Sequence, residues 1–187
     1  RELGISDMLS IEKDVSAKAC FRFNRPYRCI RLRFATSGEV LPKIGWRRRT
    51  IAWLDYEDRL STEILSDIAT VCQRVVSGSS LVVTVNARPD ADPGKENRET
   101  YEKETGKTFD LDEYRLRIAK ELLGTQLPAR ISGADLRGQG IAQVFRDVMH
   151  NVIVEQLSLR NATLPPSEKI KYGQIFHFRY QDGAPML

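Results

Sequence analysis

Two carboxylates stand where short apolar runs give out. Glu12 closes Asp7-Met-Leu-Ser-Ile-Glu12, and Asp55 closes Thr50-Ile-Ala-Trp-Leu-Asp55. A carboxylate at the end of a strand can accept both hydroxyls of a ribose, as the acid following a dinucleotide-binding turn does. Such acids also cap helices and open turns. The pair, in the order strand, helix, strand, basic stretch, strand, points to a nucleoside-type cofactor. Other chemistries find less support. Asp55, Glu57 and Asp58 cluster, but all in one short loop, a poor frame for a metal ion. His150 sits in a helical pattern between Met149 and Asn151. His177 lies between Phe176 and Phe178 and reads as core edge. Neither has a Ser or Cys partner arranged as a triad. Asn86, at the end of an apolar run, faces a site or begins a loop.

The elements that must position these residues follow from periodicity. Five segments read as strands: 7–12, 27–34, 50–55, 80–85 and 171–180. Tyr27–Phe34 alternates, with Cys29, Arg31 and Arg33 on one face and Ile30, Leu32 and Phe34 on the other. The other apolar runs predict strands covered on both faces, with Trp53 in the core. Leu60 to Val76 carries Leu60, Ile64, Leu65, Ile68, Val71, Cys72 and Val75, an amphipathic helix begun at Ser61. Ser77-Gly78-Ser79 stops it. A short helix is expected over Val15–Phe23, and longer ones over Asp112–Leu123 and Gly140–Leu159. Arg88–Lys107 is polar and turn-rich and reads as a long loop or lid at the carboxyl edge of the sheet. Strands alternating with helices predict an α/β protein: a Rossmann-like doubly wound, mostly parallel sheet flanked by helices.

The 187 residues predict one domain, with an insertion of loop and helix at about 88–125. The hydrophobic content of 41% supplies a core without disulfide staples. No apolar run is long enough for a membrane helix, so no membrane partner is expected. Cys20, Cys29 and Cys72 are odd in number and widely spaced. They read as reduced, mostly buried thiols of a cytoplasmic protein. Residues 1–49 hold 12 Lys and Arg against 5 Asp and Glu, whereas the rest hold 17 against 20. The basic quarter reads as a solvated face, since no aromatic residues are spaced there for base stacking; a phosphate partner is the alternative.

At this point the residues carry a resemblance. Met8-Leu-Ser-Ile-Glu12-Lys-Asp with Asn24-Arg-Pro-Tyr27 resembles the second strand and following helix of class I S-adenosylmethionine-dependent methyltransferases. Ile51-Ala-Trp-Leu-Asp55-Tyr56 resembles their fourth strand, and Val76–Val85 their turn and fifth strand. Phe178–Met186 is similar to the late strands of a bacterial group labelled O-methyltransferases. The resemblance implies S-adenosylmethionine as cofactor, with Glu12 on its ribose and Ser37, next to Gly38, near its adenine. It implies Asp55 facing cofactor and substrate, and Asp55 and Tyr56 at the point of methyl transfer. It also implies a first strand and a Gly-rich turn, which this sequence lacks, and a last strand beyond Leu187. The domain is therefore expected to be incomplete at its N-terminus and at its C-terminus.

Two further readings compete. One is a non-catalytic module of the same fold, binding a partner or nucleic acid through Arg22, Arg25, Arg28, Arg31, Arg33 and Arg47–Arg49. The other is a nicotinamide-dependent oxidoreductase, for which no Tyr–Lys or His–Asp pair is visible. Nucleic acid is not the favoured partner. The methyl acceptor is left open, because fold-level likeness carries little about substrate. The fourth strand reads Asp55-Tyr56-Glu57-Asp58, without the Asn-Pro-Pro-Tyr type signature of base-amino methyltransferases.

Overall fold

The computed structural model describes residues 4–182 and 184–186, with side chains described through Tyr180. Two compact units divide the chain, Arg1–Arg47 and Arg48–Leu187.

The N-terminal unit is a β–α–β arrangement followed by a tight helical turn. β1 (Met8–Glu12) and β2 (Ile30–Phe34) pair in parallel, from Met8 opposite Ile30 to Glu12 opposite Phe34. The predicted alternation of β2 holds: Ile30, Leu32 and Phe34 are half-buried while Arg31 and Arg33 are exposed. Between the strands runs α1 (Lys18–Phe23), which buries no residue fully. Phe21 packs at 6.2 Å from Phe34, and the Lys18 ammonium lies over the Phe34 ring at 5.4 Å. The four-residue α2 (Ser37–Val40) is closed by a capping box. Glu39 Oε2 accepts from Thr36 N and Oγ1, each at 3.0 Å. Trp46 Nε1 donates to Leu41 O at 3.1 Å, and both side chains are buried.

The C-terminal unit holds the deep core. β3 (Ile51–Arg59) and β4 (Ser80–Asn86) pair in parallel around α3 (Thr62–Arg74). The stripe Ile64, Leu65, Ile68, Val71 and Cys72 of α3 is buried, and α3 packs on α6 (Gly140–Asn161). From α6, Ile141, Val144, Phe145, Val148 and Val152 complete that core. Gly78 (φ 83°) makes the turn between α3 and β4, which any residue with a Cβ would strain. Ser79 Oγ accepts from Thr50 N at 3.1 Å, tying this turn to the start of β3. The sheet order is β3-β4-β6-β5, where β5 (Tyr180–Asp182) and β6 (Ala184–Met186) form an antiparallel pair.

The α/β class and the parallel pairing agree with expectation. The described strands form two separate sheets, one of two and one of four strands, rather than one doubly wound sheet. Several local expectations need correction. Within Arg88–Lys107 lies α4 (Lys95–Thr105), closed by Gly106 in the left-handed region. Its composition is rich in helix-forming Lys, Glu and Arg, but only Tyr101 is buried, so no apolar stripe announced it. Segment 171–180 is exposed throughout and enters a strand only at Tyr180. Trp53 is 67% exposed rather than core, because β3 alternates: Ala52 and Leu54 point inward and Ile51 and Trp53 outward. Of the cysteines only Cys72 is buried; Cys20 is exposed and Cys29 intermediate. His177 is exposed, not at a core edge.

Candidate functional site

Glu12 is the last residue of β1 and is half-buried. Residues two apart on a strand share a face, so Ser10 reaches it: Ser10 Oγ donates to Glu12 Oε1 at 2.9 Å. This bond orients the carboxylate and leaves its second oxygen to accept from a ligand. Ser37 is half-buried and is the first residue of α2, which packs beside β1. The N-terminal unit therefore brings Glu12 and the segment carrying Ser37 to one neighbourhood. The Thr36–Glu39 bonds hold the Glu39 carboxyl below its ordinary range, since both stabilise the anion.

Asp55 and Tyr56 belong to the C-terminal unit, and their side chains leave β3 on opposite faces. Asp55 is exposed and stands opposite Thr84, which is buried and accepts a bond from Trp53 Nε1 at 3.3 Å. Tyr56 points inward and donates its hydroxyl to Asp67 Oδ2 at 2.7 Å, linking β3 to α3. Asp55 is expected from the sequence to end its strand and does not: β3 runs on to Arg59 through a shift in register. Glu57 and Asp58 occupy that shift and face solvent. Asn86 ends β4, and its Oδ1 accepts from Arg88 N at 2.9 Å, so it begins the following loop.

Sequence reasoning missed the ionic cluster just past these strands. Arg59, at the end of β3, pairs with Asp90 in the segment after β4, both side chains 20% exposed. The Arg59 guanidinium also lies over the Phe145 ring at 5.9 Å. Asp90 O accepts from Arg115 Nε at 3.0 Å. Arg115 Nη1 donates to Asp112 at 3.2 Å, and Arg137 Nε donates to the same carboxylate at 2.8 Å. Asp112 and Arg115 belong to the start of α5 (Leu111–Leu123), which Asp110 caps by accepting from Asp112 N and Glu113 N. Arg59 Nε and Asp90 Oδ2 are buried without a partner. The signal for this cluster was weak, because its members lie tens of residues apart.

Within the N-terminal unit a hollow of about 280 Å³ opens on β1 and β2, lined by Met8, Ser10, Phe21, Pro26, Ile30 and Leu32 among others. Another, of about 570 Å³, lies between α4 and α5 against Tyr101, Leu116 and Arg117. Neither is lined by Glu12, Ser37, Asp55 or Tyr56. Among the described residues no three His, Cys, Asp or Glu side chains gather as a metal would require. No helix among them is long and apolar enough to cross a membrane. Of the N-terminal arginines, Arg31 is held by Asp7 (2.8 Å) and Arg25 by Ile30 O (3.3 Å).

The chain is a mixed α/β protein with a carboxylate, Glu12, ending a parallel strand. The chain belongs to the methyltransferase family described as "Putative O-methyltransferase", whose sequence model matches residues 1–187. No curated protein and no solved structure matches it.

Proposed function

We propose that this protein is an S-adenosylmethionine-dependent methyltransferase acting on an oxygen of its acceptor. Family membership over the whole chain supports methyl transfer. The observation that carries the cofactor is Glu12: a half-buried carboxylate at the carboxyl end of a parallel strand, oriented by Ser10 Oγ at 2.9 Å. Its donor-accepting chemistry fits a ribose diol, and Ser37 at the start of α2 fits the polar rim of an adenine. When bound, the cofactor supplies a methyl group on a sulfonium, a good electrophile.

The protein's own tasks are then to bind, to align and to take up a proton. Glu12 binds. Asp55, an exposed carboxylate on β3, is suited to accept the proton of the acceptor hydroxyl. Tyr56 is tied to buried Asp67, so it fixes the strand that carries Asp55. Calorimetric titration of the full-length protein with S-adenosylmethionine and S-adenosylhomocysteine tests the reading. Binding of both is expected. Glu12→Ala should weaken it by at least ~1 kcal/mol, the scale of a lost hydrogen bond to a charged group. Absence of heat with either compound overturns the cofactor assignment. An unchanged affinity in Glu12→Ala removes Glu12 from the site.

A further inference from the structure

The segment between α6 and β5 combines three properties. It is cationic: Lys169, Lys171 and Arg179 fall within Lys169–Tyr180, with no Asp or Glu. It is aromatic at even positions: Tyr172, Phe176, Phe178 and Tyr180. And it is open to solvent, with Phe176 60%, Phe178 66% and Tyr180 51% exposed. Soluble proteins seldom leave so many neighbouring apolar rings uncovered unless the surface binds something.

The segment is nevertheless held in place. Asn161, the last residue of α6, clamps Ile170, donating from Nδ2 to its carbonyl at 2.8 Å and accepting its N–H at 2.9 Å. Tyr172 rests at 5.4 Å from His150 of the same helix. Arg179 donates to Gln139, just before α6, at 2.7 Å. The chain thus returns along α6 from its end towards its beginning. The Phe176 and Phe178 rings lie side by side, 5.2 Å apart.

We propose that Lys169–Tyr180 binds single-stranded nucleic acid, its rings stacking on bases and its cations following the phosphates. Charge chooses this occupant. A strip with three cations and no carboxylate suits a polyanion. A second copy of the same strip would bring three more cations and no carboxylate to offset them. Stacking needs only a π face, so binding is indifferent to sequence and to the 2′-hydroxyl.

Fluorescence anisotropy of the full-length protein with labelled oligothymidylate and oligouridylate of roughly 12 nucleotides is the test. Both oligomers are expected to bind at low salt. Phe176→Ala with Phe178→Ala should weaken both by about tenfold or more, the scale of one lost stacked base. Phe176→Tyr with Phe178→Tyr should keep the affinity, which separates stacking from misfolding. Replacing Lys169, Lys171 and Arg179 by Gln should lower the slope of log affinity against log salt by about 2. The proposal fails if neither oligomer binds at low salt. It fails equally if the double Ala variant binds as well as the parent. It also fails if the Ala variant abolishes only self-association or attachment to anionic lipid vesicles.

Discussion

Both units begin with two parallel strands around a helix, yet they bury that arrangement to very different depths. In the N-terminal unit α1 has six residues and none fully buried, and only Leu41 and Trp46 are buried apolar side chains among the described residues. In the C-terminal unit α3 has 13 residues and sinks Ile64, Leu65, Ile68, Val71 and Cys72 against α6. The cause is local sequence. Lys18-Ala-Cys-Phe-Arg-Phe23 offers Phe21 to Phe34 and little else, whereas α3 repeats apolar residues at i, i+3, i+4 and i+7. Stability is therefore concentrated in the C-terminal unit. The carboxylate proposed to hold the cofactor stands in the shallower one, where elements open at lower cost and ligand binding has most to order.

The largest test of this contrast is Phe145→Ala. Phe145 is 1% exposed, in the centre of the α3–α6 core. Its removal should cost about 3–5 kcal/mol, a large fraction of the stability of an ordinary domain, measured by urea unfolding. Residue-resolved hydrogen exchange should find the slowest amides in β3, β4 and α6. If Met8–Glu12 protected theirs as well, the contrast between the units would be broken.

Thiol chemistry sharpens the same contrast. Burial pushes the Cys72 thiol up to about 11, while Cys20 is exposed on α1 and Cys29 is intermediate. The thiolate is the reacting form. A chromogenic disulfide reagent at neutral pH should modify Cys20 first and Cys29 next. Cys72 should react only through opening of the C-terminal unit, so Phe145→Ala should speed its labelling and leave that of Cys20 unchanged. Fast labelling of Cys72 in the parent protein would contradict the deep burial of α3.

The sequence made the periodic parts legible. The alternation of β2, the stripe of α3 and the stripe of α6 each follow from a single row of apolar residues. What it concealed was set by partners distant along the chain. Trp53 looks like core in Ile-Ala-Trp-Leu, because a strand apolar on both faces does not reveal which face is covered. For α4, charge and propensity make the helix and hydrophobic period does not. The aromatic run 171–180 has the composition of a strand but pairs only at its end, since a ladder needs a neighbour that local sequence does not name. Among the site residues, the position of Glu12 at the end of β1 was legible, while that of Asp55 was not, because β3 runs on past it to Arg59. The inward turn of Tyr56 towards Asp67 was not legible either, nor was the Arg59–Asp90 pair.

The smallest effect concerns acid. Asp112 accepts from Arg137 and then from Arg115, and these bonds hold its carboxyl below the ordinary range. A group whose pKa is lower folded than unfolded stabilises the fold above its unfolded pKa, about 4 for Asp. That contribution disappears as pH falls through the folded value. Asp112→Asn should therefore lower stability at neutral pH, and the gap to the parent should close in acid. The pair is worth having here because Asp112 lies at a packed junction: a Cβ on Gly133 would come within 2.0 Å of its carbonyl oxygen. In the N-terminal unit, Arg31 and Asp7 form a pair 60% and 61% exposed, which solvent screens. Asp7→Asn should leave urea unfolding unchanged from neutral pH into acid. A gap for Asp112→Asn that stayed constant with pH would mean its cost came from geometry alone, and that ion pairing does not distinguish the two units.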